Sequence, residues 1–493
     1  IVTYGPLFFR IFGLHYYTCL KLFAYSTILI SCFTMYNFLY DVSKKREIAI
    51  LGALIYAFIP YRLETIFNRF AIGEFTAYIF FPMLFHGLFN LLKGDGKKHY
   101  YIAIAAIGLI LTHTISTEYS AIFALLYIVF NFKQLKNKGV IRKIAINVIF
   151  ILAITAFFTV PLIEHKILGN YVIFNSTSMR SLPSDVQNST IDVLQLFKDS
   201  GEVNGVSFKI GIPLIVLTLL GILSYRKIDK AVKNEYITFA IIAVISLVMS
   251  TKLFPWIIMP KILTTLQFAW RMLAYSEFAL SIICAINLYY FIEYIGRNNE
   301  KIYNALFALS IILIIVSMAK INYNYNYEEN KNITDEGYEA HLNEKNSIWS
   351  INREYLPERV DTKALGKSYL DHRDDRVYVL DGNATITNEK KEDLQLEFDI
   401  EDYEAYTILE LPYIYYLGYT VTTEQNENVQ TFESDNGMLA IKLDENIESA
   451  HITVKYKGTI IEKVSYVISI ISIITFISYL FYYKRMSKQE NIK

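Results

Sequence analysis

Cysteine is almost missing from this chain. Its three residues, Cys19, Cys32 and Cys284, each sit inside an apolar run. A disulfide framework is therefore excluded as the basis of any folded part. A glycine-rich phosphate loop, a strand–helix nucleophile elbow and a Cys-Xaa-Xaa-Cys pair are also missing. Their absence removes the common sequence routes to nucleotide binding, serine hydrolysis and thiol redox chemistry. The formal net charge is zero, so no field of one sign covers the whole chain. The loops rich in Lys and Arg are short. They leave no room for a nucleotide-binding module, and a nucleotide donor is not expected.

Apolar residues, by contrast, make up 53% of the sequence. They are gathered in runs near 18–40, 47–60, 75–92, 100–113, 119–132, 144–163, 210–225, 236–251, 272–294, 302–321 and 459–483. A membrane-crossing helix needs roughly 20 apolar residues, so the pattern predicts a polytopic membrane protein of about eleven spans. The 47–60 and 100–113 runs are short and could be tilted, broken or partly re-entrant. Basic residues alternate between loops. Lys44, Lys45 and Arg46, the 133–143 segment, Arg226 to Lys233, and the tail Lys484, Arg485, Lys488 and Lys493 share one side. By the positive-inside bias this side is cytoplasmic. The loops near 61–74, 114–118, 164–209 and 252–271, with the long polar stretch 322–458, then face outward. On this topology Ile1 starts outside, and the chain is expected to lack at least one span and the loop after it.

The zero net charge conceals two unlike parts. Residues 322–458 carry 13 Lys/Arg against 29 Asp/Glu, a net −16 that the remainder balances at +16. The positive part suits an anionic inner leaflet. The acidic part is a poor candidate for nucleic acid, and no nucleic-acid partner is expected. Within it, Leu394 to Ile400 and His451 to Tyr456 alternate apolar and polar residues, and Met438 to Leu443 follows the turn Asp435-Asn436-Gly437. Short strands with such turns predict a β-sandwich. Three regions follow: a membrane domain over 1–321, a mainly-β extracytoplasmic domain over 322–458, and a final transmembrane helix with a basic tail over 459–493. Abundant Ile, Lys, Asn and Tyr fit a low-GC bacterial gene, and the expected location is the bacterial cytoplasmic membrane.

Two segments concentrate chemistry at the outer face. In the first, Arg62 and Arg69 accompany Glu64 and Glu74; in the second, Gln267-Phe268-Ala269-Trp270 precedes Arg271. Arginine suits phosphate because its planar fork donates bidentate, charge-assisted hydrogen bonds and stays charged. The same residues also suit plainer roles: Arg–Glu pairs that pin a loop, and an Arg271 that snorkels beside a belt tryptophan. His113 ends a run in Thr112-His113-Thr114, where an imidazole could hold a phosphate, shuttle a proton or simply make structural hydrogen bonds. His113 and His165 lack ligand spacing, so no metal site is expected, with a divalent cation left as the single cofactor alternative.

The run Tyr61-Arg62, Arg69-Xaa-Ala71-Xaa-Gly73-Glu74, Pro82, Thr112-His113 and Gln267-Phe268-Ala269-Trp270-Arg271 resembles a bacterial family labelled the "6-pyruvoyl-tetrahydropterin synthase-related" membrane domain. That family resembles YfhO-type proteins and the GT-C glycosyltransferases. The resemblance covers the membrane part and, more weakly, the β domain with its closing helix. It implies a GT-C-like helical bundle and sugar transfer from a lipid-linked, polyprenyl-phosphate sugar donor to a cell-envelope glycan or polymer acceptor. Arg62, Arg69, Glu74, His113, Gln267, Trp270 and Arg271 would then form the phosphate-binding face, with membrane lipid as a further partner. Two departures stand out. The family's catalytic carboxylate lies in a first outer loop that this chain does not contain, so no catalytic residue is carried over. Ala269 also stands where relatives commonly have Pro. A transporter or flippase of a lipid-linked or anionic substrate, and a non-catalytic envelope assembly protein, are the alternatives.

Overall fold

A computed structural model describes residues 2, 4–174, 182–197, 202–203, 206–322, 355–362, 373–424, 428–443 and 450–490. The fold is mostly helical, with a separate antiparallel β region. It divides into two compact units: 1–155 with 181–338 and 474–493, and 156–180 with 339–473. Residues 156–180 and the first half of the last helix group with the strands.

The first unit is built around the helix Leu273–Gly296, in which 20 of 24 residues are buried. A helix apolar on every face is stable only when wrapped on every face. It packs with Lys230–Ser250, Arg46–Ala57 and Ile212–Leu219, and Tyr16–Ser43 packs in turn on Arg46–Ala57, around one continuous apolar core that includes Phe38, Phe85, Phe239 and Phe278. Arg46–Ala57 stops because Pro60 pushes Ile59 into an extended conformation, as a residue before proline prefers. The chain resumes at Pro60 and bends by 45°.

Among the described residues five helices are long and apolar enough to cross a membrane: Tyr16–Ser43, Ile72–Leu92, Lys230–Ser250, Ala269–Gly296 and Ile460–Arg485. Counting the bent pairs Arg46–Ala57 with Pro60–Asn68, and Lys138–Ile154 with Ala156–Leu168, as single spans raises this to seven. About eleven were expected, and local breaks account for much of the difference. His113 is extended (φ −154°, ψ 102°) and divides the 100–132 region into helices Tyr101–Thr112 and Thr114–Phe130. The 210–225 run forms two short helices, Ile212–Leu219 and Gly221–Ser224. Apolar length is not helical length when the backbone turns inside the run.

The second unit holds two antiparallel sheets. Its strands are β1 (Tyr378–Asp381), β2 (Thr385–Glu392), β3 (Gln395–Glu401), β4 (Ile408–Ile414), β5 (Tyr419–Thr422), β6 (Asn428–Val429), β7 (Thr431–Glu433), β8 (Met438–Lys442) and β9 (Ala450–Tyr456). One sheet runs β1-β4-β8-β7 and the other β2-β3-β9-β5-β6. Leu396, Phe398 and Ile400 of β3 meet Leu409, Leu411, Leu439 and Ile441 of the other sheet in one apolar cluster, which makes the arrangement a sandwich. The alternation read over 394–400 is the inward face of β3, paired with β9 from Gln395↔Lys455 to Ile400↔Ala450. Gly437, at φ 76°, supplies the left-handed turn before β8, a conformation that disfavours a side chain.

Candidate functional site

The break at Pro60 positions the first half of the site. Glu277, fully buried on the central helix, accepts the Tyr61 backbone N–H with both oxygens, at 2.9 and 3.2 Å. The Tyr61 hydroxyl donates to one oxygen of Glu74. Residues Glu64–Asn68 then form a π-helical turn, in which the Arg69 N–H reaches the Glu64 carbonyl at 3.0 Å. Such turns insert an extra residue and often mark functional sites. Phe70 follows in the left-handed region at φ 44°. These deviations re-aim Arg69: its Nη1 donates to Glu74 Oε2 at 2.9 Å and to the Tyr61 hydroxyl at 3.2 Å. Its guanidinium lies 4.6 Å from the Trp270 ring centroid, a cation–π contact. Gly73 lets this turn approach the His113 hinge, since a Cβ there would stand 2.7 Å from the Thr112 carbonyl.

The second segment supplies a wall and a second guanidinium. Trp270 stacks with Phe208 (4.8 Å) and with Phe268 (4.7 Å). Gln267 is left-handed at φ 65°. Arg271, only 8% exposed, donates from Nη1 to the Leu266 carbonyl at 2.9 Å and to Gln267 Oε1 at 3.0 Å. Its Nε is buried with no hydrogen-bond partner. Tyr119 donates to the same Leu266 carbonyl at 3.2 Å, and Thr265 donates to Glu118. The His113 Nδ1 accepts the Ser116 N–H at 3.2 Å, so Nε2 carries the proton of the neutral ring. Arg271 and His113 both lie within electrostatic reach of Glu74.

Of the residues expected at the site, Glu74, Arg69 and Trp270 contact Tyr61, Arg271 and His113 lie within electrostatic reach of Glu74, and Gln267 holds Arg271. Arg62 is not part of this group. It is fully buried, donates to the Thr27 carbonyl at 3.1 Å and the Tyr56 carbonyl at 3.4 Å, and lies over the rings of Tyr56 and Tyr78. Six residues separate it from Arg69, and the π-turn between them sends the two side chains in different directions. Sequence reasoning passed over Tyr61 and Glu277 as functional residues. A carboxylate in an apolar run such as 272–294 is a signal in itself, because a charge in hydrocarbon is costly and rarely without a role.

The chemistry favours an anion. Arg69 pairs with Glu74, Arg271 stands within its electrostatic reach, and the Arg271 Nε is an unused donor beside an aromatic wall. A divalent cation fits poorly here: both Glu74 oxygens are engaged, and the neighbouring charges are positive. Among the described residues no group of three or more His, Cys, Asp or Glu side chains could hold a metal ion.

The other end of the same unit carries different polar clusters. Asp41 receives His86 at 2.6 Å and also Lys98. Glu235 receives Lys93, and the Tyr127 hydroxyl at 2.8 Å. No family model matches this chain, and neither a curated protein nor a solved structure is matched.

Proposed function

We propose that the protein is a membrane glycosyltransferase of the GT-C type, of the YfhO-like family. In this reading it moves a sugar from a polyprenyl-phosphate donor to a cell-envelope acceptor at the outer face of a bacterial cytoplasmic membrane. The observation that carries the reading is the pair Arg69 and Arg271 beside the Trp270 ring, with Glu74 ion-paired to Arg69 and the Nε of Arg271 buried without a partner. In the reaction the acceptor hydroxyl attacks the anomeric carbon, the carbon–oxygen bond to phosphate breaks, and the lipid phosphate leaves with the electron pair. Preorganised donors aimed at that developing charge lower the barrier. Arg69 and Arg271 would hold the phosphate, His113 Nε2–H would support it, and Trp270 with Phe268 would pack against the donor. The base that takes the acceptor proton is assigned to none of these residues.

The transporter reading rests on a separate observation, the helix broken at Pro60 beside the site. Discontinuous helices build ion and substrate sites in transporters. One experiment addresses both readings. Proteoliposomes loaded with a polyprenyl-phosphate sugar are assayed for transfer to a glycan acceptor and, in parallel, for movement of the intact lipid between leaflets. Transfer that needs Arg271 supports the enzyme. Lipid movement with no transfer at any acceptor concentration would replace that reading with the transporter.

A further inference from the structure

The second unit contains a cavity of about 570 Å³, made wholly of its own residues and unrelated to the arginine cluster. One wall is apolar: Phe157, Phe158, Pro161 and Leu162 on the helix Ala156–Leu168. The opposite wall is tyrosine. Tyr419 of β5 meets Tyr456 of β9 edge-on at 5.2 Å, and Tyr416 stacks on Tyr171 at 5.7 Å. Glu462, in the first turn of the closing helix, is the carboxylate on the lining.

The acidic groups here lack counter-ions. Thr459-Ile460-Ile461-Glu462 forms a capping box: the Glu462 N–H reaches Thr459 Oγ1 at 3.0 Å, and Glu462 Oε2 accepts the Thr459 N–H at 3.3 Å. This explains a Glu or Gln at 462 but not its charge. Tyr466 donates to the other oxygen at 3.1 Å. Thr459 Oγ1 in turn donates to Glu164 Oε2 at 2.7 Å, so a second carboxylate, itself 8% exposed, stands beside the first. Neither pairs with a cation among the described residues, and Lys166, Lys457 and Lys463, close in sequence, form no ion pair with them. His165, the basic side chain on the lining, is hydrogen-bonded to the Tyr171 hydroxyl at 3.0 Å and not to either carboxylate. Two carboxylates and several aromatic faces with no ion-paired cation make the surroundings that attract an ammonium group.

We propose that this cavity binds an amphiphile from the surrounding bilayer that carries an ammonium head. The ammonium sits between Glu462, Glu164 and the rings of Tyr419 and Tyr456, and the alkyl chain lies along Phe157, Phe158 and Leu162. The volume suits a ligand of that size. The start of the Ile460–Arg485 helix, long and apolar enough to cross a membrane, places the head at the depth where lipid head groups lie. A sugar would also stack on tyrosine, but it would leave both carboxylates without a counter-charge.

The test uses the full chain in nanodiscs with phosphatidylethanolamine or phosphatidylglycerol, each carrying the same diazirine-tagged acyl chain. The ethanolamine lipid should label the peptides holding Phe157 to Leu162 and Tyr416 to Tyr419 roughly tenfold more than the glycerol lipid. Dodecyltrimethylammonium should compete. Glu462→Gln keeps the capping box, and combined with Glu164→Gln it should bring the two lipids to parity. Tyr419→Leu, which leaves both carboxylates in place, should reduce the preference independently. Equal labelling by the two lipids, or a preference that survives all these substitutions, overturns the proposal. So does displacement by a neutral alkyl glucoside and not by the alkylammonium, which would assign the cavity to a glycan.

Discussion

The two ends of the helical unit treat charge in opposite ways. Glu74 and His86 stand about 18 Å apart at the rise of a helix, on the stretch Ile72–Leu92. At the His86 end each buried carboxylate is matched: Asp41 with His86 and Lys98, Glu235 with Lys93 and Tyr127. The backbone there is ordinary, because left-handed Lys44 is a helix C-cap whose N–H returns to the Tyr40 carbonyl, a common ending. At the Glu74 end Glu74 is held by Arg69 with Arg271 within electrostatic reach, the Arg271 Nε has no partner, and Gln267 is left-handed outside any helix cap. Strain and unmatched donors are tolerated where something outside the chain completes them. The closed end is matched within the chain; the open end is where the proposed phosphate contacts lie.

The largest expected effect lies at the open end. Arg271→Lys keeps the charge and loses the planar fork. It should lower sugar transfer by about a hundredfold or more at equal protein abundance. Wild-type turnover would mean that Arg271 only anchors its loop. At the closed end the pattern should reverse. Lys93→Met leaves Glu235 buried with a tyrosine alone, and breaking such a pair costs about 3 kcal/mol. A detergent-unfolding midpoint should fall accordingly, while transfer per folded molecule stays unchanged. Loss of turnover per folded molecule in Lys93→Met would erase the contrast between the ends.

Gln267→Gly sharpens the comparison with a smaller effect. Glycine adopts φ 65° without strain, so stability should rise by about 1 kcal/mol while phosphate binding weakens through the lost Oε1 contact to Arg271. Isothermal titration with pyrophosphate, alongside a thermal melt, would show whether the two move in opposite directions. If both fall together, the left-handed turn is not a strained element. The smallest effect is expected outside the helical unit. Asn388 and His451 hydrogen-bond to Asp399 and hold its carboxyl below the usual range. A depressed carboxylate stabilises the fold above its ordinary value of about 4 and loses that contribution as pH falls through the lower one. The melting temperature of the sandwich should therefore dip slightly at acid pH, and Asp399→Asn should flatten that dip. An unchanged acid profile in the variant would remove the pair from the account.

Much was legible in the linear order of residues. The strand over 394–400, the turn at 435–437 and the strands at 438–443 and 451–456 follow from alternation and turn chemistry, because a sheet face imposes a period of two wherever it borders a core. The apolar runs announced long helices for the same reason, since hydrocarbon-facing segments are paid for in apolar side chains. Span number was less legible. His113 turns extended between two apolar stretches, and Leu220 separates two short helices, neither with a sequence signal as strong as proline.

The site divides in the same manner. Residue types determined by themselves that arginine, glutamate and tryptophan at the ends of apolar segments needed an explanation, because charge near hydrocarbon is costly wherever it sits. Only the tertiary structure decided that Arg62 turns into the core while Arg69 reaches Glu74. It also made Tyr61 the hub, through a backbone N–H held by Glu277 from 216 positions away. A side chain's direction depends on local backbone geometry, here a π-turn and two left-handed residues. A partner's identity depends on which distant helix packs alongside. Neither is written in composition or spacing, since both emerge only when the helices have chosen their neighbours.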